Sequence, residues 1–250
     1  RRRWVNGCNG TASRSFGRKM CWEGSRDSTA HNRRGPDRES LVDQVLTPHL
    51  AHFDVYTDAR CVLTSKDKRA AKEYRGGLIS YQKAKADIET WMKEDANHEC
   101  LFTSMFDLYA LPEDFPGFDE AKRLEPYQRI ERLEAAFGNE MNKPNFIPYI
   151  QLHEFESLIL ADPAKLDWEY LEHEQPIGNL VKMVGTQNPE LINDGRETAP
   201  SKRILKEIPE YDKVTSGVSV AAHIGLGALR ASCKHFDEWV SRLENLGGQE

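Results

Sequence analysis

The stretch CLFTSMFDLYALPEDFPG, residues 100–117, decides how this chain folds. Its first half is mostly apolar, is about as long as one strand and has no helical spacing. Runs of this kind suit strands buried on both faces, as in a parallel sheet. The run ends at Asp107, and two prolines and a glycine then turn the chain. A carboxylate in that place is either a ligand-holding group at the mouth of a sheet or the cap of the next turn.

Helical patterns surround the stretch. ESLVDQVLTPHL (39–50) puts Leu41, Val42, Val45, Leu46 and Leu50 on one face, with Glu39 and Ser40 in its first turn. LISYQKAKADIETWMKED (78–95) predicts an amphipathic helix burying Ile79, Ala84, Ile88, Trp91 and Met92. In AKRLEPYQRIERLEAAFGNEM (121–141), Ile130, Leu133 and Phe137 recur at helical spacing. RCVLTS (60–65) reads as a short strand, and Gly76-Gly77 as a loop. NFIPYIQLHEFESLILADP (145–163) starts as a strand and becomes a helix near His153. Strands alternating with helices predict an α/β fold with a mostly parallel sheet and flanking helices. Beyond Pro163 the chain reads as helical, near 165–185, 201–208, 218–232 and 235–246, with a polar loop at 192–203. The organisation expected is a leader at 1–38, an α/β core at 39–163 and a helical region at 164–250.

With 39% hydrophobic and 30% charged residues among 250, the chain has the composition of a soluble globular protein. No apolar run approaches the ~20 residues that cross a bilayer, so no membrane association is expected. The basic start is not followed by the apolar run of a signal peptide. Five cysteines without a CxxC pair fit reduced thiols in a cytoplasm and argue against a cysteine zinc site.

The net charge of −6 is unevenly spread. Residues 1–38 hold 10 of the 34 basic and 3 of the 40 acidic residues, which leaves 24 − 37 = −13 for residues 39–250. An acidic body repels a phosphate backbone, so work on nucleic acid would need a divalent metal, a local basic patch or a partner. Residues 1–38 show neither strand nor helix periodicity. They read as a basic nucleic-acid-binding arm or as an irregular leader.

Ligands of parallel sheets bind beyond the carboxyl ends of strands. Asp107 stands at one such end, and His153 and Glu154 follow another. Oxygen ligands from neighbouring strand ends suit Mg²⁺, which orients a phosphodiester and activates water. Within HEFE (153–156), His153 and Glu156 would share a face if the segment is helical. The second histidine of a zinc HExxH motif is absent, because position 157 is Ser157. At a strand-to-helix junction Glu154 and Glu156 also favour the positive helix start. In TAPSKR (198–203), Ser201 and Lys202 stand at a helix start and would hold a phosphate or simply form a cap. Neither GxxxxGKS nor GxGxxG occurs, so no nucleoside triphosphatase is expected. Cys233 and His235 read as structural.

Four blocks carry a resemblance: TSMFDLYALPEDFPG, FIPYIQLHEFESLILADP, INDGRETAPSKRILKEIPEYDKV and HIGLGALRASCKHFDEWVSRLENL. They resemble the bacterial domain-of-unknown-function family 4276 over residues 39–246. The resemblance implies a TOPRIM-like, Rossmann-like α/β fold, a Mg²⁺ site and a nuclease working with an ATPase partner in bacterial phage defence. It implies metal ligation by Asp107, with Glu154 or Glu156 replacing the second acid, because Leu108 and Tyr109 follow Asp107 where such folds have Asp-x-Asp. The family's first strand ends in a V-E-G-x-T-E-type motif, against which this chain has RRGPDRES. Gly35 matches, whereas Arg34 and Arg38 replace the two glutamates, and no apolar strand precedes them. Arg33 to Glu39 can be written CGT CGA GGG CCC GAC CGA GAG, whose next frame reads Val-Glu-Gly-Pro-Thr-Glu. A wrong-frame origin for residues 1–38 is one explanation; a chain of that origin would lack a sheet strand and a key metal ligand, and would be inactive or poorly folded. The readings carried forward are a Mg²⁺-dependent nuclease, a non-catalytic adaptor or sensor of an ATPase system, and a basic-arm nucleic-acid binder.

Overall fold

The computed structural model describes residues 17–22, 41–61, 63–67, 72–75, 78, 80–94, 100–192, 195, 198–213 and 215–247. Glu39, Ser40, Ile79, the Gly76-Gly77 loop and the RRGPDR segment with Arg34, Gly35 and Arg38 lie outside these residues.

A parallel sheet lies at the centre. Its strands are β1 (Gly17–Trp22), β2 (Tyr56–Cys61) and β5 (Phe102–Asp107), in the order β2-β1-β5. The short β6 (Phe146–Ile147) and β7 (Ile150–Gln151) both pair with β5, also in parallel. Trp22 lies opposite Met105 and Asp107 opposite Gln151, so the strands' carboxyl ends share one edge. A separate antiparallel hairpin joins β3 (Leu63–Asp67) to β4 (Lys72–Arg75). The expectation that no strand precedes Glu39 is corrected: Gly17–Trp22 forms the middle strand of β2-β1-β5.

All six residues of β5 are buried, as a strand covered on both faces requires. Alternation sends its neighbours to different layers. Phe102 and Phe106 join one core cluster with α2 (Tyr81–Glu94) and α4 (Pro126–Met141). Met105 joins the other, with Leu41 to Val55 and the helices that follow Pro163. Those helices therefore form the second covering layer of the sheet, and their core is continuous with that of residues 41–55.

The expected strand FIPYIQL is split, because Pro148 has no N–H to give to a ladder. Ser104 repairs the gap: its hydroxyl donates to the Tyr149 carbonyl at 3.1 Å and accepts the Tyr149 N–H at 3.0 Å. Residues 41–50 form a π-turn at Val42–Leu46 and then α1 (Thr47–Leu50). After α3 (Phe118–Ala121) and α4 come α5 (Glu156–Ile159), α6 (Glu174–Val184) and α7 (Pro200–Glu207). The pattern at 218–232 resolves into α8 (Ser216–Ile224) and α9 (Leu226–Ser232), parted by Gly225 at φ +84°. Last comes α10 (Lys234–Glu244).

Candidate functional site at the carboxyl edge of the sheet

Asp107 ends β5 and is buried. A 3-10 turn, Leu108–Ala110, follows it, and the Asp107 side chain makes no capping bond to that turn. Capping therefore does not explain the residue. Its neighbour Gln151 is buried and accepts the Tyr149 hydroxyl at 2.7 Å.

HEFE is not one helix. His153 sits in the left-handed region at φ +60°, and α5 begins only at Glu156, so the two do not share a helical face. The His153 carbonyl accepts the Tyr109 N–H at 3.0 Å, and the His153 and Tyr109 rings stack with centroids 5.5 Å apart. Burial, and then the charge of Arg129, push the His153 pKa down to about 4 against the opposing pull of Glu154. Burial and Glu154 push the Tyr109 hydroxyl up to about 12.

The turn at His153 points Glu154 into the core, where it meets two elements from the far end of the chain. Its Oε1 accepts the backbone N–H of Ser201 at 2.6 Å, and its Oε2 accepts from the Lys213 ammonium at 3.4 Å. Glu156 is fully buried beside them. Burial, and then the charge of Glu154, push its pKa up to about 8, against the pull of Lys213. Glu156 is therefore mostly uncharged at neutral pH. Burial works against the Lys213 ammonium, yet Glu156 and Glu154, with Asp107 beyond, hold its pKa above the ordinary lysine value. Glu154 and Glu156 thus share one electrostatic neighbourhood with Lys213, on which the charge of Asp107 also acts.

Lys213 was not among the predicted site residues. Its only signal was its place in EIPEYDKV, just after Glu207, Glu210 and Asp212. The predicted phosphate pair divides: Ser201 is buried with its N–H on Glu154, whereas Lys202 points to solvent. Arg129, on α4, was also missed; its Nε is buried and has no hydrogen-bond partner among the described residues.

Magnesium is not fitted by this arrangement. Among the described residues, no three His, Cys, Asp or Glu side chains are placed to hold one metal ion. Both Glu154 oxygens already accept bonds, from the Ser201 N–H and the Lys213 ammonium. Cys233 and His235 serve structure: Cys233 is fully buried, and His235 Nε2 meets Glu134 at 3.0 Å. No helix among the described residues is long and apolar enough to cross a membrane.

Residues 35–244 match the family model described as Domain of unknown function (DUF4276). No curated protein and no solved structure gives a significant match to the chain. With more than three quarters of its length inside the match, the chain belongs to the DUF4276 family.

Proposed function

We propose that the chain is a phosphodiesterase of nuclease type, with the carboxyl edge of its parallel sheet as the active site. One observation carries the reading: three buried carboxyl groups act on one partly exposed lysine near the edge where parallel sheets bind ligands. A buried charge cluster costs folding stability, and clusters with shifted pKa values are enriched at functional sites. Asp107, Glu154 and Glu156 supply the acids and Lys213 the cation. Action on nucleic acid with an ATPase partner in bacterial defence belongs to the proposal and rests on the sequence resemblance.

The test is cleavage of single- and double-stranded DNA and of RNA by the purified chain, with and without added Mg²⁺ and the product of a neighbouring ATPase gene. Cleavage that disappears in Asp107→Asn, with an unchanged circular dichroism spectrum and melting temperature, supports the reading. Absence of cleavage under all these conditions overturns it.

The second reading is a non-catalytic adaptor that docks on an ATPase through its helical half. The lack of a metal-holding triad among the described residues favours it. Stable copurification with the ATPase, together with no metal binding by calorimetry, is the outcome it requires.

A further inference from the structure

The geometry points to Lys213 as the residue that takes the anionic group of the ligand, a phosphate of a nucleic-acid strand, with Glu154 as its positioning residue; this rests on the phosphodiesterase reading. Lys213 lies in the loop between α7 and α8, meets Glu154 in the turn that follows β7, and feels the charge of Asp107. Its side chain is 21% exposed and Glu154's is 9% exposed, so the ammonium sits at the boundary between core and solvent. An ammonium has three donors. Among the described residues Lys213 uses one of them, on Glu154, at a distance of 3.4 Å. Tight charge-assisted bonds run at about 2.7–2.9 Å, so this contact orients the ammonium without saturating it.

The loop around Lys213 is held in place before any ligand arrives. The Tyr211 N–H donates to the Ile208 carbonyl at 3.0 Å, and the Asp212 N–H to the Tyr170 hydroxyl at 3.2 Å. Beyond Lys213, the Thr215 N–H donates to Asp212 Oδ1 at 3.1 Å and the Ser216 N–H to the Asp212 carbonyl at 3.0 Å. The Glu154 carboxylate is fixed in turn by the Ser201 N–H. A second feature marks the place as a binding site. The Tyr211 hydroxyl is buried, feels the charges of Glu156 and Glu154, and has no hydrogen-bond partner among the described residues. A buried hydroxyl without a partner costs free energy that a bound polar group recovers. Lys202 has none of this framework.

The test is fluorescence polarisation with a short fluorescein-labelled single-stranded DNA, with inorganic phosphate as competitor, on the full-length chain. Lys213→Met should weaken binding about tenfold and reduce the log–log salt slope by about 0.7, the share of one phosphate contact on a single strand. Lys213→Arg should restore binding to within about threefold, because it keeps the charge and donors. Lys206→Met, on an exposed position of α7, controls for the general loss of one positive charge. If Lys213→Met does not fold, the double variant Glu154→Gln/Lys213→Met removes the unpaired charge and should show the same loss. Wild-type binding in Lys213→Met, a loss confined to Lys202→Met, or no binding by the wild type each overturns the inference. A wild type that binds through Lys213 but cleaves nothing upholds Lys213 and sinks the phosphodiesterase reading. A wild type that cleaves, with binding indifferent to Lys213, does the reverse.

Discussion

The backbone N–H of Ser201 donates to Glu154 Oε1 at 2.6 Å across 47 residues of sequence. This bond ties the start of α7 to the turn that follows β7, and so joins the helical half to the carboxyl edge of the sheet. The helix start is also where a carboxylate is favoured by the exposed N–H groups.

Removing Glu154 should therefore be felt in stability as well as at the site. Glu154→Ala leaves the Ser201 N–H and the Lys213 ammonium without their acceptor, at a cost of about 2–4 kcal/mol. Urea unfolding should show a lower midpoint with an unchanged slope. Glu154→Gln keeps an acceptor for Ser201 and should cost about half as much. An unchanged midpoint in Glu154→Ala would contradict the geometry.

Glu190 has the same standing at the other end of the helical half. It is fully buried, and its carboxylate accepts the N–H groups of His235 and Phe236 at 3.0 and 3.1 Å and the Tyr127 hydroxyl at 2.9 Å. It thereby caps α10 from outside the helix. Glu190→Ala should cost about 3 kcal/mol, with early loss of amide-exchange protection in α10.

Stability should depend on pH through Glu156. Its folded pKa is raised from the ordinary 4.5 to about 8, so the folded state holds the proton more tightly than the unfolded chain. This contribution is fully present below pH 4.5 and is lost as pH rises through about 8. His235 acts in the same sense. Burial opposes its charge, but the hydrogen bond and charge of Glu134 raise its pKa above the ordinary 6.5. Unfolding free energy should fall between pH 6.5 and 8, by at most about 1.4 kcal/mol per pH unit for each group. Glu156→Gln should remove its share, and Glu156→Gln/His235→Gln should leave the profile nearly flat across that range.

Gly217→Ala probes the ground beneath Tyr211. A Cβ there would stand 2.8 Å from the Tyr211 hydroxyl and 3.2 Å from Phe155 Cε1. Both neighbours are buried, so the substitution should cost about 1–3 kcal/mol. It should also disturb DNA binding by moving the loop that carries Lys213.

Phe137 is the corresponding probe of the opposite layer. Its ring lies 4.9–5.8 Å from those of Phe146, Phe115, Tyr81 and Phe106. Phe137→Ala should cost about 3–5 kcal/mol, with no direct effect on the carboxyl edge.

The parts of this fold that could be read in the sequence are those fixed by local pattern. Ile130, Leu133 and Phe137 recur at helical spacing, and all three are fully buried on α4. Ala84, Ile88 and Trp91 do the same on α2. The apolar run at 100–109 is a buried strand that ends at Asp107, as expected. Where pattern and backbone chemistry conflict, pattern misleads. Pro148 divides one expected strand, Gly225 divides one expected helix, and the left-handed turn at His153 delays α5 to Glu156. The middle strand Gly17–Trp22 has two charged residues in six and no alternation to announce it; its pairing with β2 and β5 is a tertiary outcome. Asp107 and Glu154 could be named because each stands near the end of an apolar run, and Glu156 because it falls in the HEFE block of the family resemblance. Lys213 could not, since it reaches Glu154 from 59 residues away and no local spacing encodes that meeting.

The Trp239 indole N–H donates to the Thr103 hydroxyl at 3.0 Å, over a separation of 136 residues. The Tyr149 ring lies against the same indole, with centroids 4.3 Å apart. During synthesis, β5 leaves the ribosome long before this partner exists. Until α10 emerges, Thr103 lacks its donor and Tyr149 its stacking surface, so an apolar strip of the sheet stays wet. Completion of the sheet layer therefore waits on a residue 136 positions further along the chain, and clipping the chain within α10 should unmake the sheet layer itself.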